Sequence, residues 1–386
     1  MAVINDYSRS LVALDQDTTL VAVVELSSKS WLAGAVVPGV ERRPVKKLDP
    51  DAPGLLALLH RWRGEAERRG RKIERIVVAY EAGRDGFWLA RWLLRQGIEV
   101  HVIHSASVAV SRERKRAKTD RLDAAMLLRV LLGWLRGERD HCGMVAIPSL
   151  EEEDARRPGR ERQILVGERA RLSNRITSAL ARFGIRGFKP MLKKAAERLE
   201  QLRSPEGASL PPNTLDELRR DMERIALIRK QIKSIEGARA ARVVADPQTA
   251  PHAMVLLLSR VIGIAIETAD LLVREVFTRR FRDRRAVARF AGLTGSPDES
   301  GERRREKGLA KAGNGRVRCG MIELSWRFLN FQAGSDLARW YRERTAGANA
   351  AMRKTLIVAL ARKLLIALWR LATTGEVPEG FVLRPA

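Results

Sequence analysis

Four carboxylates in the first third of the chain stand where a metal centre needs them. Asp15 directly follows the apolar run Val12-Ala13-Leu14, Glu81 closes the apolar stretch in IVVAYEAG, and Asp120 and Asp123 open a helix in KTDRLDA. Residues three apart on a helix share a face, and the ligands of open α/β sheets collect where strands end. Carboxylates that converge repel one another unless cations neutralise them, and oxygen-only donors suit hard ions such as Mg2+ or Mn2+. Two such ions about 3.5 to 4 Å apart stabilise a phosphodiester displacement. Taken singly, each carboxylate also has an ordinary reading, Asp120 as a helix cap and Glu81 as the partner of a nearby Arg. Asp17 rivals Asp15 but lacks an apolar run directly before it.

A second constellation lies in GLTGSPDESGERRREKGLAKAGNGRVR, residues 292 to 318, where Ser300 adjoins Gly301 and a dense group of Arg303, Arg304, Arg305 and Lys307. Between Arg274 and Arg318 there are 14 Lys and Arg against 6 Asp and Glu. A serine on a Gly-flanked loop can approach a phosphate closely while arginines bind its oxygens in pairs. Serine needs a base or a metal to become a nucleophile, and no histidine lies in this loop. Its activation is therefore expected from the carboxylate and metal set, of its own protomer or of another. The plain alternative is a flexible basic loop whose serine solvates a turn. Ser296 precedes a proline and lacks the adjacent Gly, and Tyr341 is a weaker third candidate.

The elements that must position these groups are legible in outline. The stretch from 10 to 38 reads as successive strands broken at Gln16 to Thr19 and Ser27 to Ser30. Helix GLLALLHRWRGEAERRG, strand IERIVVAYEAG, helix DGFWLARWLLRQG and strand EVHVIHS follow, a strand-helix rhythm that implies an α/β domain. Residues 111 to 121 carry six basic side chains against two acidic ones and lead into the amphipathic helix LDAAMLLRVLLGWLRG. Beyond Pro148 the pattern is helical and highly charged. Leu215, Leu218, Met222, Ile225, Ile228, Ile232 and Ile235 step by threes and fours with one slip, a short coiled-coil-like seam that serves either packing within the chain or a dimerisation arm. In SRVIGIAIETADLLVREV a Gly-centred turn between helices resembles a helix-hairpin-helix, which offers backbone N–H groups to a DNA phosphate; a packed helical hairpin is the alternative. The expected fold is α/β plus all-α, with domains at 1–148, 149–248 and 249–386.

Composition narrows the partners. The 386 residues hold 72 Lys and Arg against 46 Asp and Glu, a net charge of +26, and this points to a polyanion. A hydrophobic share of 45% is enough for packed cores. Cys142 and Cys319 lie far apart, so neither a disulfide framework nor a zinc site is expected, and the alternation around His101 and His104 reads as strand rather than metal box. No run reaches the roughly 18 to 20 apolar residues of a membrane span, and a cytoplasmic, nucleoid-associated protein is expected.

Together, ALDQDTT, YEAGRDGFWLARWLLRQGIEVHVI, RAKTDRLDAAMLL, PSLEEEDARR, FAGLTGSPDESGERRREKGLAKAGNGRVR and ALARKLLIALWR, in this order and over nearly the whole chain, resemble a DEDD-type transposase of the one-ten insertion-sequence family. The members of that family are serine recombinases guided by a bridge RNA. The resemblance implies an RNase H-like (RuvC-like) first domain with Asp15, Glu81, Asp120 and Asp123 as its metal-binding tetrad. It implies Ser300 as the nucleophile of the C-terminal transposase domain, a coiled-coil arm joining protomers, and dimers that assemble into a tetramer on DNA and guide RNA, with active sites shared between protomers. The sequence departs from the family pattern at Ala13-Leu14-Asp15-Gln16, where Gly-Ile-Asp-Val is usual, at Ser105 for a proline, and at Ala265 for a glycine.

The resulting expectation is a recombinase that excises and inserts its own element through a 5′-phosphoserine link, without ATP, in keeping with the lack of a Walker-type motif. Two rivals stand beside it. One is a metal-dependent junction-resolving nuclease in which water attacks, and the other is a noncatalytic nucleic-acid-binding protein.

Overall fold

The computed structural model describes residues 14–108, 120–139, 141–300, 303–309 and 312–385; of these, the side chains of 106, 120, 296–300 and 303–307 stand outside the description. The chain divides into two compact units, Met1–Glu151 and Glu152–Ala386.

The first unit is built on a six-stranded sheet of β1 (Thr19–Leu26), β2 (Trp31–Val36), β3 (Val45–Leu48), β4 (Arg75–Glu81), β5 (Glu99–Ile103) and β6 (Met144–Val145), in the order β3-β2-β1-β4-β5-β6. β1, β4 and β5 run parallel, while β2, β3 and β6 pair antiparallel. The alternation of each strand decides its faces. Leu20, Ala22, Val24, Val78 and Tyr80 pack with α1 (Ala52–Glu67) and α2 (Trp88–Arg95), whereas Val21, Val23, Val77, Ala79 and Ile103 pack under α3 (Asp120–Leu135). With both faces covered, β1 reads TLVAVVEL, the near-continuous apolar run of a buried central strand. α1 begins where Asp51 accepts the Gly54 N–H at 2.7 Å, with Pro53 in its first turn. His101 lies buried within β5, its Nε2 at 2.7 Å from Glu99 and its ring 4.7 Å from Trp134, in keeping with the strand reading. Cys142 is buried and Cys319 exposed, and both are free thiols.

The first strand differs from expectation. Residues 1–13 lie outside the description, Leu14 and Asp15 are in no strand and residues 16–18 form a turn, so the first described strand starts at Thr19.

The second unit is helical apart from one hairpin. α4 (Leu150–Ala155) leads into it, α5 (Arg157–Ala181) packs along α7 (Pro212–Ala245), and the short α6 (Ala195–Glu200) lies beside α7. Leu218, Ile225, Ile228 and Ile232 of the seam are buried, so the seam serves packing within the chain. Asp221 is also buried in it, held by Arg175 and Arg224. α8 (Ala250–Ser259), α9 (Ile266–Leu272), a π-turn (Val273–Phe277), α10 (Arg284–Phe290), α11 (Gly315–Phe331), α12 (Asp336–Thr345) and α13 (Ala350–Thr374) enclose a further core around Leu272, Val276, Met321, Phe328 and Leu364. The segment from Thr294 to Gly315, expected as a loop, is instead the hairpin of β7 (Gly295–Ser300) and β8 (Arg303–Leu309). Among the described residues no helix is long and apolar enough to cross a membrane.

Candidate active site

The C-terminal ends of β1 and β4 bring two glutamates together. The parallel register pairs Val24 with Tyr80, so Glu25 and Glu81 follow side by side on neighbouring strands. Both share the parity of Val21, Val23, Val77 and Ala79, which places their side chains on the face covered by α3. They line one pocket of about 490 Å³, together with Ser27, Ser28, Arg84, Asp85 and Ser105. Ser105, where the resembling family has proline, donates its hydroxyl to the Ala82 carbonyl at 2.9 Å and so ties the exit of β5 to that of β4.

Asp15 does not belong to this group. It precedes β1 and is exposed. Thr19 donates its N–H to the Asp15 carbonyl at 3.1 Å, and Asp17 donates its N–H to Asp15 Oδ1 at 2.9 Å. The bonds from Asp17 and Thr18 hold the Asp15 carboxyl below the usual range. Because β1 and β4 are parallel, Asp15 and Glu81 lie at opposite ends of the sheet, with six residue steps of β1 from Thr19 to Glu25, about 20 Å of strand. The rival Asp17 lies at the same end of the strand as Asp15 and pairs with Arg71 at 2.9 Å. The carboxylate that stands beside Glu81 is Glu25, which the sequence reading does not single out, although its signal is present: LVAVVE and IVVAYE are both apolar runs closed by a glutamate.

Asp120 and Asp123 open α3. Ala124, next to Asp123, is buried over Gly34, which pairs with Val23 of β1, so the half-buried Asp123 rides on the face toward which Glu25 and Glu81 point. The side chain of Asp120 lies outside the description, as do residues 109–119 of the basic run. Among the described residues no three His, Cys, Asp or Glu side chains come together closely enough to hold a metal ion. The donor chemistry around Glu25 and Glu81 nonetheless fits a hard divalent cation, since every carboxylate and hydroxyl there offers oxygen.

Ser300 ends β7, opposite Arg303 of β8, and Glu299 pairs with Arg304. Their side chains lie outside the description, as do Gly301 and Glu302 between the strands. The hairpin rises from a narrow neck. A Cβ on Gly313 would fall 2.6 Å from the Gly292 nitrogen, and one on Gly292 would fall 2.4 Å from the Ala312 carbonyl oxygen. Both glycines have positive φ, so only glycine lets the two feet touch backbone to backbone.

The Gly-centred turn between α8 and α9 exists, with Gly263 at φ 95°. Two of its amides are spent inside the chain: Ile262 donates to Val382 O at 3.1 Å and Ile264 to Val261 O at 3.0 Å. This favours the packed helical hairpin over a phosphate-binding turn. Tyr341 is buried, with its hydroxyl 3.4 Å from the Arg353 carbonyl, which disfavours it as a nucleophile.

The sequence matches known families. A family model described as "Transposase IS116/IS110/IS902 family" matches residues 255–342, the span that contains Ser300. A DEDD transposase model matches residues 41–185, which include Glu81, Asp120 and Asp123 but begin after both Asp15 and Glu25. "Putative transposase y4rJ" of Sinorhizobium fredii (strain NBRC 101917 / NGR234) is 39% identical over 373 residues, covering 94% of this chain and 93% of that protein.

Proposed function

The chain belongs to the IS110 family of transposases, and from that premise we propose that it moves an insertion element by serine-mediated cleavage and rejoining of DNA, with a divalent metal held by carboxylates and base recognition delegated to a guide RNA. Family membership makes it an enzyme that acts on DNA. The observation that supports the metal part of this reading is the pairing of Glu25 with Glu81 at the C-terminal ends of two central parallel strands, on the face covered by the helix of Asp120 and Asp123.

A DEDD transposase domain is RNase H-like, and the order β3-β2-β1-β4-β5 with β1, β4 and β5 parallel supports that fold for the first unit. Its acidic set is then Glu25, Glu81, Asp120 and Asp123, with Glu25 in the place first expected for Asp15. Mg2+ or Mn2+ bound there supplies charge stabilisation at the reacting phosphate. Ser300 acts as the nucleophile. Its Oγ forms a bond to phosphorus, the bond from phosphorus to the 3′-oxygen breaks, and the serine proton ends on the departing 3′-hydroxyl. The 5′-phosphoserine ester keeps the phosphodiester energy for rejoining. The arginines of β8 flank the serine in a strongly basic segment that suits phosphate binding.

The division at 1–148, 149–248 and 249–386 assigns the α5–α7 pair to an arm between the two transposase domains. Exposed Ile164 and Leu227 on that pair support its use in joining protomers into dimers and then a tetramer.

A suicide DNA substrate tests the reading. The intact protein is expected to form a covalent protein–DNA adduct in Mg2+, and Ser300→Ala to form none. Cleavage without an adduct, retained in Ser300→Ala, identifies a junction-resolving nuclease instead, and DNA binding with no strand scission and no adduct identifies a pure binding protein.

A further inference from the structure

The hairpin that carries Ser300 is anchored at its root by a buried carboxylate that the chemistry itself does not use. Asn314 follows the neck glycine Gly313 and opens α11. Its N–H donates to Phe290 O at 2.7 Å, closing the neck, and its Oδ1 accepts from the N–H groups of Arg316 at 3.0 Å and Val317 at 3.4 Å, capping the helix. A Ser or Asp caps a helix about as well as Asn does. What distinguishes Asn here is its amide donor, and Nδ2 donates to Glu275 Oε2 at 3.2 Å.

Glu275 is 4% exposed and lies at the centre of the π-turn Val273–Phe277. Turns of this kind widen a helix by one residue and recur at functional positions. Arg160 grips the carboxylate with both arms, Nε to Oε1 at 2.9 Å and Nη2 to Oε2 at 3.2 Å. Burial pushes the Glu275 carboxyl up, but Arg160 and Arg156 outweigh it and keep the group below the usual carboxylate range. Around it, Arg279 donates to the Glu275 carbonyl at 3.2 Å and lies 4.9 Å over the ring of Phe290, the residue whose carbonyl receives Asn314. A carboxylate with both oxygens occupied is neither a free base nor an open metal ligand. Its one arm toward the reaction is the bond to the hairpin's foot.

We propose that Glu275 is a positioning residue for strand cleavage, acting through Asn314 to fix the root of the β7–β8 hairpin and with it the place of Ser300. The proposal rests on Ser300 being the nucleophile. Serine Oγ must reach phosphorus in line with the departing oxygen, and a misplacement of about 1 Å costs up to about 100-fold in rate. A neck closed by two glycines and a buried ionic hub removes that freedom.

Asn314→Asp and Asn314→Ser both keep a capping side chain while removing the amide that reaches Glu275. In the full-length protein, each is expected to bind the DNA substrate with the wild-type Kd, while adduct formation at saturating DNA slows about 10- to 100-fold. Hydrogen exchange on the same variants is expected to show faster exchange of amides paired across β7 and β8 with α11 protected as before. Loss of α11 protection as well shows that Asn314 acts only as a cap and overturns the proposal. Wild-type adduct rates in both variants, with Ser300→Ala forming no adduct, overturn the positioning role and leave the nucleophile standing. An adduct in Ser300→Ala removes the nucleophile and the proposal together.

Discussion

Which end of β1 a carboxylate occupies decides whether it can share a metal with Glu81. Asp15 is spent on a turn before the strand, whereas Glu25 ends it beside Glu81 on the same face. Asp15→Asn is therefore expected to retain Mg2+-dependent cleavage within about 2-fold, and Glu25→Gln to lose at least about 100-fold, because a lost ligand weakens the metal and the charge stabilisation it gives. Cleavage rates across a Mg2+ titration separate the two, and the reverse order of effects sinks the assignment of Glu25. The places of Glu81 at a strand end and of Asp120 and Asp123 in the first turn of a helix are legible in the sequence because each closes or opens a long, strongly patterned element. The expectation for Asp15 rests on the short run Val12-Ala13-Leu14, too few residues to reveal that a buried strand begins after Asp15 at Thr19 and ends on Glu25 and Leu26. No periodicity announces Glu275, whose partners Arg160 and Asn314 are 115 and 39 residues away along the chain.

Two elements show how charge is accommodated inside packed structure. The seam of α7 reads as apolar, yet Asp221 stands fully buried between Leu218 and Ile225, neutralised by Arg175 of α5 and Arg224. The aliphatic spacing makes the helix pair visible in the sequence, but the ion pair that crosses it depends on a residue 46 positions away. Asp221 is fully buried while Arg175 and Arg224 are about half exposed, so taking away Arg175 leaves a desolvated carboxylate short of a partner; Arg175→Ala is expected to cost about 1 to 3 kcal/mol in urea unfolding, while Leu227→Ala on the exposed side costs under about 0.5 kcal/mol. Equal effects would show that the pair is not buried in solution. In the sheet, Arg75 of β4 holds Glu99 of β5 in two bonds of 2.7 Å, and His101 adds a third. Burial pushes Glu99 up, but His101 and Arg75 outweigh it and bring its pKa from 4.5 down to about 2. A depressed carboxylate stabilises the fold above its unfolded value and loses that contribution as pH falls, here between about 4.5 and 2. The stake is on the order of 2 to 3 kcal/mol. Because only part of that contribution is gone by pH 3, unfolding free energies at pH 7 and pH 3 are expected to differ by about 1 to 2 kcal/mol less in Glu99→Gln than in the unmodified protein, and identical pH slopes would refute the bridge.

The net charge of +26 acts on the molecule as a whole, and it bears on whether RNA is part of the working enzyme. A protein that neutralises 6 to 10 phosphates of duplex DNA loses about 10³- to 10⁵-fold in affinity between 50 and 200 mM salt, because each neutralised phosphate releases condensed counterions. Bare protein, with its basic surface uncommitted, is expected to bind DNA in this steeply salt-dependent and sequence-indifferent way. A guide RNA bound first uses part of the same surface and brings its own negative charge. DNA held by pairing with the guide is then read through bases rather than through lysine and arginine alone. The slope of log Kd against log salt is therefore expected to be shallower for protein carrying its copurified RNA than for protein stripped of RNA by nuclease. Only the loaded form should discriminate between DNA sequences. Equal slopes with equal selectivity would mean that the basic surface meets DNA directly in both forms, and the guide-RNA reading would then lose its physical basis even with the serine chemistry intact.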